Sequence, residues 1–210
     1  QVADGPSLDL PFSHRITVTT ADAAIGVSDF VWFGQPVEGW NVRDFQGRTF
    51  TYSFWMKASK VGVYTVAFKN ADGSHTRLHE VTVLAANTWE QKSVTVSGGL
   101  PASGVWNFQS GVGLYVQIAL AAGTTWQSAA GAWQTGNYVG TANQVNLLDT
   151  IGATLFVTGG QLEIGDQATP FEHRDLGLEE RMLMRYFEKG TMYNVGVCTN
   201  GAVFGTPIGF

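Results

Sequence analysis

The chain has 210 residues, enough for one sizeable core and a small appended element. Its composition is 44% hydrophobic and only 14% charged, with 26 glycines, 7 tryptophans and 13 phenylalanines, a profile of short strands and tight turns. A formal net charge of −5, with no run of Lys or Arg, argues against a nucleic-acid or anionic-membrane partner, and no apolar stretch is long enough to insert across a bilayer.

Residues 1–13 are polar and turn-rich and read as a linker from a preceding region. Residues 14–20 alternate Ile16 and Val18 with polar neighbours and predict the first strand. Residues 29–37 contain FVWF, apolar without alternation, and predict a strand covered on both faces. The clearest strand is 50–58, where Phe50, Tyr52, Phe54 and Met56 share one face. Residues 62–70 place Tyr64, Val66 and Phe68 on one side, and Ala71-Asp72-Gly73 then predicts a hairpin into 74–83. Residues 89–96, 114–121 and 154–164 complete a set of about eight strands. With no long helix between them, antiparallel pairing is expected. The economical architecture is all-β: an antiparallel jelly-roll β-sandwich over residues 14–165.

Two segments depart from that pattern. Residues 123–146, GTTWQSAAGAWQTGNYVGTANQVN, show no period, and an unstructured stretch of that length is uncommon in a compact domain unless it is functional. Residues 166–190 form a turn-rich link and a short amphipathic helix over about 176–188, with Asp175 as its cap. Leu178, Met182, Leu183, Tyr186 and Phe187 make its apolar face, and a helix so short needs a docking surface, either its own sandwich or a neighbouring subunit. Residues 191–210 read as the start of a truncated C-terminal β element. The single cysteine, Cys198, excludes an intramolecular disulfide and reads as a small buried hydrophobe.

The pieces FTYSFWMKAS, VAFKNADGSH, ANTWEQKSVTV, LAAGTTWQSAAGAWQTGNYVGTANQVNLL and GATLFVTGGQLE, followed by TGGQLEIGDQATPFEHRD and LEERMLMRYFEK, resemble in order and spacing the jelly-roll module of tailed-phage and prophage tail-fibre and related virion appendage proteins. The resemblance runs from about residue 50 to 189 and is looser over 14–42. It implies a non-enzymatic, carbohydrate-binding-like sandwich in a virion fibre or spike, extracellular after release. It also implies a homotrimer assembled with other virion proteins, a host-surface glycan as receptor, and a helix leading to a further β region. No attachment region separating tail from head placement is recognisable.

The residues suited to glycan recognition are Trp126, Trp133 and Tyr138, with Gln127, Gln134, Asn137 and Asn143 beside them and Trp32, Trp40 and Trp106 as outliers. An exposed indole or phenol stacks on the C–H face of a sugar while amides bind its hydroxyls. The competing reading is that these aromatics pin a long loop to the sandwich, which is the commoner fate of large rings. A purely structural spacer or trimerisation module is therefore the alternative function, with a polysaccharide depolymerase behind it.

Metal and catalytic readings are weaker. His75 and His79 lie four apart on a strand, about 13 Å, too far to share an ion. They read as partly exposed polar positions on one sheet face, and His14 and His173 are isolated. Asp22, Asp29, Asp149 and Asp166 are candidates for a structural Ca²⁺ but lack a binding-loop spacing, so no cofactor is expected. Glu38 with Asp44, or Glu163 with Asp166, are the only carboxylate pairs worth drawing as a glycosidase site, and turn placement explains both. No hydrolase, metalloprotease or phosphate-cradling motif is present, so no catalytic residues are expected.

Overall fold

Period-two alternation in FTYSFWMKA puts Phe50, Phe54 and Met56 inward, all fully buried, on a strand that runs through the middle of one sheet. The structure, a computed structural model, describes residues 1–184, 191–197 and 203–209. Its first unit, Gln1–Phe171, is an antiparallel β-sandwich of jelly-roll type. One sheet has the order β1-β9-β3-β6, from β1 (His14–Thr17), β9 (Thr154–Ile164), β3 (Phe50–Ala58) and β6 (Glu90–Val96). The other has the order β2-β7-β4-β5-β8, from β2 (Phe30–Glu38), β7 (Val112–Ala122), β4 (Gly62–Lys69), β5 (His75–Val83) and β8 (Trp133–Thr135). Every pairing within these two sheets is antiparallel.

The core lies between the sheets. Phe50, Phe54, Val94, Val96, Leu155 and Val157 face Tyr64, Val66, Phe68, Leu114, Val116 and Ile118. Phe68 meets Phe50 edge-on at 5.5 Å and Tyr52 at 6.2 Å, an arrangement that aromatic quadrupoles favour. The β4–β5 hairpin turns as its Asp-Gly pair requires, with Gly73 at φ 71° and the Asp72 carboxylate accepting from the Ser74 amide.

Three sequence expectations change. Residues 1–13 are docked rather than a free linker. Val2 and Ser13 exchange backbone hydrogen bonds, and Asp4 takes both an ion pair from Lys57 at 2.6 Å and the Trp89 indole N–H. The hydrogen bond from Lys57, helped by that from Trp89, holds the Asp4 carboxyl below its ordinary pKa, and the Lys57 amine also lies 4.3 Å from the Phe156 ring centre. Strand β2 is not covered on both faces. Among the described residues it is a sheet edge that pairs only with β7, and Phe30, Val31 and Trp32 are each more than a third exposed. Pro36, which has no N–H for a second ladder, marks β2 as an edge. Residues 123–146 are not structureless: β8 pairs with His75, Thr76 and Arg77 of β5, and a 3₁₀ turn spans Thr124–Trp126.

The rest of that segment lies over the outer face of the five-stranded sheet. Ladder pairing between β4 and β7 stops at Val66 and Ile118. Where the strands part, the Gln144 side-chain amide fills in. Its Oε1 accepts from the Thr65 amide at 2.7 Å, and its Nε2 donates to the Ala119 carbonyl at 3.1 Å. Val145 and Thr141 continue the docking through Val63 and the Thr65 hydroxyl.

On the inner face, His79 of β5 accepts the Arg77 Nε–H on its Nε2 at 3.1 Å and packs edge-on to Phe68. His75 and His79 share this face and are both half-buried, as the sequence reading expects, with His79 at the edge of the core. Burial, and then the Arg77 guanidinium, lower its pKa to about 4 from the usual 6.5. The unfolded chain therefore binds more protons than the native one between pH 6.5 and 4, so stability falls as pH falls through that window. Calorimetric melts across pH 7 to 4 should show the decline, and His79→Phe should flatten it.

The second unit, Glu172–Phe210, contains helix α2 (Leu176–Met184) and a hairpin of β10 (Thr191–Val197) and β11 (Val203–Gly209); a four-residue helix α1 (Gly39–Val42) belongs to the first unit. Asp175 caps α2 by accepting from the Gly177 and Leu178 amides. Leu178, Met182 and Met184 are exposed on it. Tyr186, Phe187 and Cys198, and the side chain of Leu183, lie outside the described residues.

Candidate functional site

On the outer face of the five-stranded sheet, period two and the strand register set out three rows. The first runs Pro36–Tyr115–Lys69–Thr76–Gln134, the second Gly34–Gln117–Ala67–Leu78, and the third Trp32–Ala119 on β2 and β7 with Thr65–Glu80 on β4 and β5. Residues 127–145 cover the β4–β5 side. The β2–β7 side keeps Trp32, 37% exposed, and a half-buried Tyr115.

Trp32 and Tyr115 start two rows apart, yet their ring centres are 6.5 Å apart. Both side chains therefore lean toward the middle row. Between them, Gly34 lets β2 come close to β7, because a Cβ there would lie 2.3 Å from the Val116 carbonyl oxygen and 2.8 Å from the Gln117 Cα. Opposite Gly34 lies Gln117, 3% exposed, whose Oε1 has no hydrogen-bond partner among the described residues. An orphaned amide oxygen in a buried site costs about 1–3 kcal/mol, so this acceptor is retained at a penalty. The result is a partly exposed aromatic strip on the same sheet face as a buried, unpartnered amide oxygen.

The residues singled out from sequence are mostly occupied elsewhere. Trp126 packs edge-on to Phe30 at 4.6 Å and donates its indole N–H to the Ser28 carbonyl. Trp133 packs edge-on to Trp106 at 5.2 Å and donates to the Gly99 carbonyl. These two rings anchor the segment rather than offer free platforms. Gln134 is spent on Ser128 and the Ala129 carbonyl, and Gln127 donates to the Ala122 carbonyl. Asn137 accepts from Lys69, and Tyr138, half buried, gives its amide to Thr76 Oγ1. Asn143 donates to Glu80.

Gln127 and Asn143 do come together, in an open cleft of about 650 Å³ that Glu80, Thr124, Ser128 and Thr141 also line. The buried Thr141 Oγ1 has no partner among the described residues. Sequence reading noted Trp32 only as an outlier and missed Tyr115, Gln117 and Gly34. The signal available was the FVWFGQP run itself: a proline that makes β2 an edge, and a glycine two places before it where the two strand backbones come close.

Two of the acidic candidates are also committed. Glu163 accepts from the Thr169 amide and hydroxyl, which fastens the link after β9 and lowers its pKa against a raising effect of burial. Asp149 pairs with Lys60. Among the described residues no cluster of three or more His, Cys, Asp or Glu comes together, and no helix is long and apolar enough to cross a membrane.

No family model matches the chain, and no curated protein matches it. Among solved structures, one titled "CBM4 structure and function" aligns with a TM-score of 0.36 at 14% identity, over 72% of this chain and 70% of that one. This distant likeness identifies no family.

Proposed function

We propose that this chain is a non-catalytic glycan-binding sandwich of a bacteriophage fibre or spike, exposed on the virion and recognising a host-surface polysaccharide. The phage placement rests on the ordered motifs of the sequence. The binding role rests on one observation: the partly exposed Trp32–Tyr115 pair, with ring centres 6.5 Å apart on the outer face of the β2–β7 side. Exposed rings of this kind stack on sugar C–H faces.

A glycan array probed with the wild-type chain and with Trp32→Ala and Tyr115→Ala tests this reading. Each variant should lose about thirtyfold or more in affinity, equivalent to about 2 kcal/mol, while both keep the wild-type melting profile. Unchanged binding in both variants would remove the strip as the site.

A second reading, a structural or trimerisation module, is favoured by the exposed Leu178 and Met182 on α2, an apolar pair one turn apart. Sedimentation of the intact chain at micromolar concentration should then give a trimer, and Met182→Glu should shift it toward monomer. A wild-type monomer argues against assembly through α2.

A further inference from the structure

Two short stretches, 124–128 and 139–143, are stitched together over the β4–β5 side of the outer face and form the walls of the open cleft. The Val139 and Gly140 amides donate to the Trp126 carbonyl, and the Ser128 amide donates to the Gly140 carbonyl. The Thr141 amide ties the second stretch to the Thr65 hydroxyl, and the Trp126 indole ties the first to the Ser28 carbonyl. The walls are thus fixed before any ligand arrives, which lowers the entropic cost of binding. The anchoring of Trp126 acquires a purpose in this way: it holds one side of the cleft in place.

The hydrogen-bond inventory of the lining is one-sided. Gln127 Nε2 donates to the Ala122 carbonyl at 2.7 Å, Asn143 Nδ2 to Glu80 Oε1 at 3.1 Å, and the Ser128 hydroxyl to Gln134 Oε1. Among the described residues Gln127 Oε1, Asn143 Oδ1 and the second Glu80 oxygen take no hydrogen bond. Thr141 lines the same cleft, is only 3% exposed, and leaves its Oγ1 without a partner. Glu80 is the one ionisable group of the lining and makes no ion pair among the described residues. Spare acceptors beside one negative charge select a ligand that brings donors and no negative charge of its own.

Resting on the glycan-binding reading above, we propose that this cleft is a second sugar subsite, distinct from the aromatic strip. It takes an uncharged sugar residue whose hydroxyls donate to these oxygens, and it turns away carboxylated or sulfated ones. Trp32 on β2 and Glu80 on β5 stand at opposite ends of the third row, three strand spacings or about 15 Å apart, so the two subsites do not overlap. Their chemistry divides the work. Stacking on Trp32 and Tyr115 tolerates any sugar with an apolar face, whereas oxygens held at fixed positions read where the hydroxyls are. A single carboxylate is a poor cage for Ca²⁺, which takes six to eight oxygens and several charges.

The test is a binding series on dextran, mannan and galactan beside polygalacturonate, alginate and dextran sulfate. The wild-type chain should bind at least one neutral polymer about tenfold or more tightly than any acidic one. Glu80→Ala removes an acceptor and Ala142→Met fills the cleft; both positions are exposed, so melting temperatures should stay level. Each should weaken binding of the preferred neutral polymer about tenfold, and that polymer should shift the Gln127 and Asn143 side-chain amide resonances of the wild type. Wild-type affinity in both variants, with Trp32→Ala losing binding, would overturn the subsite and leave the glycan reading intact. Acidic polymers bound as tightly as neutral ones would overturn the selectivity, and binding lost in EDTA would assign the oxygens to a cation instead. Binding to none of the six polymers or to a wider glycan array, by wild type or Trp32→Ala, would count against the glycan reading itself.

Discussion

Replacing Gln144 with alanine is expected to destabilise the sandwich by about 2–6 kcal/mol, because two buried backbone groups lose their partners at once and each orphan costs about 1–3 kcal/mol. The Thr65 amide loses its only acceptor in the structure's hydrogen-bond pattern, and the Ala119 carbonyl loses the Gln144 Nε2 donor, at the point where β4 and β7 part. In a chain of this size that corresponds to a fall of about 4–24 °C in melting temperature. Gln144→Glu keeps the acceptor for Thr65 but loses the donor to Ala119, so its cost should be intermediate and should shrink when the carboxyl is protonated at low pH. A Gln144→Ala variant that melts like wild type would mean that the segment over the outer face does not hold the sheet together.

Phe68→Ala should cost about 3–5 kcal/mol, the usual range for emptying a buried aromatic site. Phe68 is fully buried and touches both sheets, through Phe50 and Tyr52 on one side and His79 on its own. Its loss removes edge-on contacts that neighbours cannot replace by small shifts, because Phe50 and Phe54 are fixed by their own packing. Phe68→Leu, which keeps most of the volume, should cost clearly less. Denaturant titration distinguishes the two through the midpoint at constant slope.

The core was legible because its signal is local and repeated. In β3, β4 and β7, one face of each strand is large and apolar, and period two assigns that face without knowledge of the partner strand. The β4–β5 hairpin was legible for a similar reason, since Asp72-Gly73 sets the turn through backbone conformation alone. Strand β2 misled because FVWF carries no alternation, and an apolar run looks alike whether it is covered or lies at an edge. Pro36 resolves that ambiguity, since it excludes a second ladder on its side.

The candidate site was only partly legible. Trp126 and Trp133 stood out because they are large residues in a segment without period, yet their indole N–H groups go to the Ser28 and Gly99 carbonyls, about 98 and 34 residues away in sequence. No spacing rule reveals such a partner. Tyr115 and Gln117 sit in a strand where sequence reading follows the inward set, Leu114, Val116 and Ile118, and treats the alternate positions as solvent-facing. Their meeting with Trp32 depends on which strand pairs with β7, a register fixed by the whole sandwich.

These placements also separate anchoring aromatics from binding ones in a way that can be observed directly. Titrating the ¹⁵N-labelled chain with a bound oligosaccharide and following the indole N–H resonances by NMR reports on all 7 tryptophans together. The Trp32 resonance, together with the Gln117 side-chain amide, should shift in a saturable, dose-dependent way, while those of Trp126 and Trp133 stay in place. Saturable shifts confined to Trp126 and Trp133, with Trp32 and Gln117 unmoved, would contradict the assignment of the binding face to the β2–β7 side of the sheet.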